Sequence, residues 1–233
     1  MTTAQKIEAQ LKSMGNAKDA EHAPQFFKTG PGEYGEGDVF LGIRVPPLRK
    51  LAKELTDTSI DDAVDLLQSP FHEARLMALL IWTYQAKGGD ESLPLYRAYL
   101  TNTSRINNWD LVDVSAEHII GRHLFARSRK PLYKLAKSRS LWERRIAILS
   151  TLFFIRRNDF DDTLALAGLL LNDTEDLMHK AVGWMLREVG KRNQEIEENF
   201  LLPRYQQMPR TMLRYAIERF PEPRRQEFLN GRA

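Results

Sequence analysis

The chain of 233 residues contains no cysteine, which excludes a disulfide framework and thiolate metal sites and fits a reducing compartment. It also lacks any run near the roughly 18 apolar residues of a membrane span. The opening Met1-Thr2-Thr3-Ala4-Gln5-Lys6 has no apolar signal-peptide core. A soluble, unprocessed cytoplasmic protein with no membrane partner is expected. Histidine is sparse: His22, His72, His118, His123 and His179 show no His-Glu-x-x-His spacing, so no metal site is expected. Gly30, Gly32, Gly35 and Gly37 are interspersed with acids and precede no strand-helix unit, so they make no phosphate-binding loop. No Gly-x-Ser-x-Gly elbow is present either.

Alternating, turn-bounded strand patterns are missing as well. Apolar residues recur instead with helical period, as in Ala74, Met77, Ala78, Ile81 and in Ile146, Leu149, Leu152, Phe153. The pattern predicts an all-α protein. Breaks are expected at Thr29-Gly30-Pro31-Gly32, Ser69-Pro70, Lys87-Gly88-Gly89-Asp90, Arg157-Asn158-Asp159 and Met208-Pro209. Helices opening near Phe71-His72-Glu73, Leu141-Trp142-Glu143, Leu177-Met178-His179 and Arg210-Thr211-Met212 look alike. With the Trp109 helix between the first two, they recur at roughly 35 residues, the scale of helix-pair repeats. This predicts one domain over 1–233, a curved α-solenoid of HEAT-like helix pairs whose basic concave groove is lined by Arg and Lys near the helix starts.

Charge is unevenly spread. Residues 1–100 hold 11 Lys/Arg against 14 Asp/Glu, while residues 101–233 hold 23 against 17. The basic half contains the two most informative segments. In Asn108-Trp109-Asp110-Leu111-Val112-Asp113, Trp109 and Asp113 lie four apart and share a helix face. Glu117 lies one turn beyond Asp113, and two like charges at that spacing call for a cation nearby. Arg105 is expected on the Trp109 face, and Asp110 reads as a dipole-favoured acid beside a helix cap. In His179-Lys180-Ala181-Val182-Gly183-Trp184-Met185-Leu186-Arg187-Glu188, the spacing of Lys180, Trp184, Arg187 and Lys191 sets a tryptophan in a cationic stripe. Trp109 and Trp184 are candidate stacking platforms, whereas Trp82 and Trp142 adjoin apolar runs and read as core. Arg145, Arg187 and Lys180 are candidate phosphate ligands, with Arg156, Lys191 and Arg214 behind them. Each alone reads as a solvated charge; their recurrence at matching repeat positions is the signal.

At these residues the chain resembles the AlkD-like DNA alkylation repair glycosylases, HEAT-like proteins that remove alkylated purines from DNA. The resemblance is carried by Val39-Phe40-Leu41-Gly42-Ile43-Arg44-Val45-Pro46, Asn108 to Asp113, Glu143-Arg144-Arg145-Ile146-Ala147-Ile148-Leu149, Lys180 to Glu188, and Arg214-Tyr215-Ala216-Ile217. It implies that Asp113 is the catalytic carboxylate and that Trp109 and Trp184 hold the lesion-bearing deoxyribose. It also implies DNA-backbone contacts from Arg145 and Arg187, joined here by Lys180, Arg144 and Lys191. Where the family's well-known member has a tyrosine near the lesion, this chain offers Phe26 or Phe27. The implied partner is double-stranded DNA containing alkylated purines, bound by a nucleoid-associated monomer without cofactor or metal. The implied reaction is hydrolysis of the N-glycosidic bond of cationic N3- or N7-alkylpurines, in base excision repair. The alternative is a non-catalytic HEAT-like module that binds DNA structure or a protein.

Overall fold

A computed structural model describes residues 1–89 and 92–233. The described residues are helices and turns; their one extended pairing is an isolated parallel bridge between Val39 and Phe71. The protein is all-α, as its periodicity predicts. Its contacts cluster into two compact units, Met1–His123 and Leu124–Ala233.

The first unit runs through α1 (Thr3–Met14), α2 (Ala17–Phe27), α3 (Val45–Glu54), α4 (Ile60–Leu67), α5 (His72–Gly88), α6 (Ser92–Thr101) and α7 (Trp109–Ala116). Polar side chains start several of these helices by accepting an otherwise orphan amide: Thr2 for α1, Asn16 for α2, Ser59 for α4 and Asn108 for α7. Helix α5 is apolar nearly all round, so it must sit inside. It packs against α3, α4 and α7, with Met77, Leu79, Ile81 and Trp82 fully buried. A five-residue π-helical turn, Glu117–Gly121, follows α7, and α8 (Arg122–Leu124) leads to the second unit.

A strap over residues 39–44 ties α2 to α5. Both carboxylate oxygens of buried Glu73 accept its amides, from Leu41 at 2.9 Å, Gly42 at 2.8 Å and Ile43 at 3.2 Å. Gly42 has φ +76°, and a Cβ there would lie 2.1 Å from the Asn16 carbonyl oxygen, so only glycine fits this crossing. Pro46 and Pro47 then open α3, where a missing amide costs nothing. The Leu41-to-Pro46 segment is therefore architectural.

The second unit comprises α9 (Lys130–Leu135), α10 (Leu141–Ser150), α11 (Leu152–Ile155), α12 (Asp161–Leu169), α13 (Asp176–Gly190), α14 (Gln194–Leu201), α15 (Arg210–Ala216) and α16 (Glu222–Leu229). Helix α13 is its centre, packed on α10, α14 and most extensively α15. A Cβ at Gly183 would stand 2.5 Å from the Met212 carbonyl oxygen and 2.6 Å from Tyr215 Cβ, so this glycine permits the close approach of α13 and α15. Trp142, 9% exposed, is core like Trp82.

Four of the five expected breaks fall between helices; at the fifth, α5 runs on through Lys87 to Gly88 with Gly89 as cap, and Asp90 lies outside the described residues. Helix starts at His72, Trp109, Leu141, Asp176 and Arg210 recur at about 35 residues.

Candidate functional site

In the first unit, α7 is fixed at its N-terminus by a buried polar network. The Asn108 side chain accepts the Trp109 amide at 2.8 Å and donates to Asp38 Oδ2 at 3.2 Å. Asp38 also accepts from Arg75 Nη2 at 2.5 Å and His72 Nδ1 at 3.2 Å, while His72 Nε2 donates to Asp110 Oδ2 at 2.8 Å. Asp110 Oδ1 takes the Leu111 amide. His72, Arg75, Asn108 and Asp110 are all buried, and two carboxylates face two cations, so the cluster closes electrically. Burial opposes a charge on His72, but its hydrogen bonds to Asp110 and Asp38 prevail and push its pKa up to about 9. Burial likewise opposes ionisation of Asp38, and the His72 and Arg75 contacts overrule it, holding its carboxyl below the usual range.

Above this network lies an aromatic cluster. Phe27 stacks on Trp109 with ring centroids 5.6 Å apart and on Phe40 at 4.9 Å, and its ring centre is 4.7 Å from that of His72. Phe26 meets Trp109 edge-on at 5.5 Å and is 65% exposed. The structure thus separates the two phenylalanines: Phe27 is half-buried packing beneath Trp109, and Phe26 is the ring displayed to solvent. Trp109 and Asp113 are both half-buried on α7, one turn apart. Asp113 is close enough to the buried Tyr99 hydroxyl to help burial raise that group's pKa. Glu117 is buried at the start of the π turn, with His118 Nε2 3.8 Å from its carboxylate. Arg105 departs from the expected face: it sits in a 3-10 turn before α7 and donates to the carbonyls of Leu67, Gln68 and Ser69, closing the end of α4.

In the second unit, Trp184 is half-buried on α13 and its indole N–H donates to Glu188 Oε1 at 3.1 Å. The surrounding stripe is less cationic than its spacing suggests. Lys180 pairs with Asp176 at 2.8 Å, Lys191 with Glu188 at 2.6 Å, and Arg187 with Glu218. Acids on the same and the neighbouring helix offset each base. Lys180 and Lys191 keep side chains 41% exposed, and such ion pairs are weak enough for a phosphate to replace the carboxylate.

Two arginines expected on a DNA-binding surface are placed otherwise. Arg144 directs Nε and Nη2 to Asp173 at 2.6 and 3.2 Å and Nη1 to the Ser138 and Arg139 carbonyls, so every guanidinium nitrogen serves the fold. Arg145 is 4% exposed and donates to the Leu177 carbonyl at 2.6 Å, joining α10 to the first turn of α13. The spacing that aligned them with phosphate ligands is the spacing by which one helix grips the next. Arg156 and Arg214 are exposed.

Sequence reasoning passed over His72, Asp38, Arg75 and Glu73. One signal was available: His72, Glu73 and Arg75 open a helix that is apolar on every face from Leu76 to Trp82, and charges on a buried helix require partners. Among the described residues no group of three or more His, Asp or Glu is arranged to hold a metal ion, and no helix is long and apolar enough to cross a membrane.

Among solved structures, the chain is similar to a predicted DNA alkylation repair enzyme from Enterococcus faecalis, with TM-score 0.70, 18% identity, and coverage of 90% of this chain and 98% of that one. A Streptococcus mutans UA159 protein, smu.31, aligns at 20% identity over 92% of this chain and 96% of its own, with TM-score 0.49. No curated protein sequence matches. The first likeness establishes a shared fold. The sequence model of the DNA alkylation repair enzymes matches residues 7–220, nearly the whole chain, and this protein belongs to that family.

Proposed function

We propose that the protein is a monofunctional DNA glycosylase for cationic alkylpurines, with 3-methyladenine and 7-methylguanine as its principal substrates. The observation that carries this reading is the mounting of α7: Asn108 and Asp110 are locked into the buried network, while Trp109 and Asp113, on the same short helix, stay half-exposed. A rigid carboxylate beside an aromatic surface suits a sugar that develops positive charge.

An N3- or N7-alkylated purine carries a positive charge, so its glycosidic electrons leave readily with the base. As the C1′–N bond breaks, the base departs neutral and the charge moves to the deoxyribose. Asp113 stabilises that oxocarbenium-like centre and orients a water molecule; the water adds to C1′ and gives up a proton. Trp109 packs against the sugar, with Phe26 beside it. Lys180, Arg187 and Lys191 hold phosphates by exchanging their carboxylate partners for the backbone. Arg145 and Arg144 support this indirectly, by holding α10 to α13 and to Asp173.

The test is release of free base from methylated duplex DNA, followed by chromatography. Release of 3-methyladenine and 7-methylguanine is expected. Tight binding to duplex DNA without release would favour the non-catalytic module instead.

A further inference from the structure

His72 is 2% exposed in the first turn of α5, and both its ring nitrogens face carboxylate oxygens: Nδ1 stands 3.2 Å from Asp38 Oδ2 and Nε2 2.8 Å from Asp110 Oδ2. Carboxylates only accept, so the ring donates from both nitrogens, which a neutral imidazole cannot do. The geometry therefore requires an imidazolium. Its charge also rests against two aromatic rings, with the Phe27 and Phe40 centroids 4.7 and 4.9 Å away. Phe27 carries that contact on to Trp109, stacked at 5.6 Å with 16° between the planes. One buried cation thus reaches α7 by two routes, through Asp110 in its first turn and through Phe27 beneath Trp109.

The two carboxylates depend on it unequally. Asp38 also receives Arg75 and Asn108, whereas Asp110 has, besides His72, the Leu111 amide of its own helix. The other charged groups around the ring are engaged elsewhere. Glu73 holds the strap amides, Arg75 bonds Asp38 and Asn107, and Arg105 bonds backbone carbonyls. In the wall of the adjoining cavity, of about 500 Å³, Asp19 and Arg44 bond each other and His22 is the second imidazole.

We propose that His72 is a positioning residue for excision: its imidazolium holds α7, and with it Trp109 and Asp113, in the working arrangement, and loss of its proton releases them. A neutral ring has one donor for two anions, and its other nitrogen then turns a lone pair on a carboxylate. Phe27 and Phe40 lose their cation at the same moment. The aromatic surface and the carboxylate offered to the lesion are then no longer fixed, and a misplaced catalytic group loses rate steeply. Burial opposes the charge, but the bonds to Asp110 and Asp38 prevail and push the pKa up to about 9, so the site is set at neutral pH and released at alkaline pH. That excision is the step affected rests on the glycosylase reading; the ring's charge and its hold on α7 do not.

Single-turnover release of 3-methyladenine from methylated duplex, at saturating protein and with spontaneous release subtracted, is followed from pH 7.5 to 9.5. The lesion is chosen because 7-methylguanine has an N1 proton that itself titrates. The wild-type rate should fall by about fourfold over this range, with thermal melting at each pH confirming the folded state. His72→Arg keeps a cation with donors for both carboxylates; it should stay within about twofold of wild type at pH 7.5 and lose the fall. Asp110→Asn takes one anion from the ring and should move the break about one unit or more toward neutral pH, while His22→Gln should leave it in place. The emission of Trp109, taken as the difference from Trp109→Phe and titrated without DNA, should show a step near pH 9 that His72→Arg lacks. A purely structural His72 would produce none of these differences in folded protein. A rate and an emission that stay flat through pH 9, or a break that His72→Arg retains, overturn the inference. An emission step that His72→Arg removes, in a wild type that releases no base, upholds the hold on α7 and overturns the glycosylase reading alone.

Discussion

His72 holds two carboxylates at once; its removal takes the cation from Asp110 and leaves Asp38 to Arg75 and Asn108. His72→Gln should destabilise the protein by about 3–5 kcal/mol in urea unfolding, since breaking a buried ion pair leaves uncompensated charge. The pH dependence has a definite sign. The folded pKa of His72 is raised from 6.5 to about 9, so its stabilisation is complete below pH 6.5 and is lost as pH rises through 9, a change of about 3 kcal/mol. The variant should lack that alkaline decline. Glu197 is a second titration probe, buried on α14 with its Oε1 unpartnered; burial first, then Glu198, pushes its pKa up to about 9. Its contribution is therefore full below pH 4.5 and falls as pH rises toward 9. Glu197→Gln should be more stable than wild type at pH 8 and no more stable at pH 4. Equal stability at both values would refute the buried-acid assignment.

At the scale of the helix, Gly183 is the sharpest case. Gly183→Ala pushes a methyl group into the Met212 carbonyl and Tyr215, and should cost about 1–3 kcal/mol by calorimetric melting, with α13 and α15 separated. An unchanged melting temperature would contradict the packing described. Helix positions were legible in the sequence because a 3.6-residue apolar pattern marks them and many starts add a capping side chain or a proline, as at α1, α2, α3, α4, α7 and α10, information that is local. The Trp109 and Asp113 pair was legible for the same reason. The ion pairs divide along that line. Lys180 with Asp176 and Lys191 with Glu188 are one turn apart and can be read directly, whereas Arg187 with Glu218 and Arg144 with Asp173 join residues about 30 apart. The network of Asp38, His72 and Asp110 spans three segments, and no periodicity connects them. The excess of cations near Trp184 was overestimated because their acids come partly from another helix.

For the molecule as a whole, charge follows the division into units: residues 1–123 hold 13 Lys/Arg against 17 Asp/Glu, and residues 124–233 hold 21 against 14. Lesion-independent affinity for duplex DNA should therefore come mainly from the second unit and fall steeply with salt. Lys191→Ala should lower the slope of log K against log salt by about 1, at all duplex sequences alike. Arg144→Lys should lower the melting temperature and leave that slope unchanged, because Arg144 already serves Asp173 and two carbonyls. A reduced slope for Arg144→Lys would return it to the DNA surface. On the proposed reading, α7 presents Asp113 as the excising carboxylate. The most direct measurement is the single-turnover rate of 7-methylguanine release by Asp113→Asn beside wild type, with duplex affinity measured on the same preparations. The variant's rate should be lower by about 100-fold or more, with affinity equal or higher. A variant that excises at the wild-type rate would contradict it.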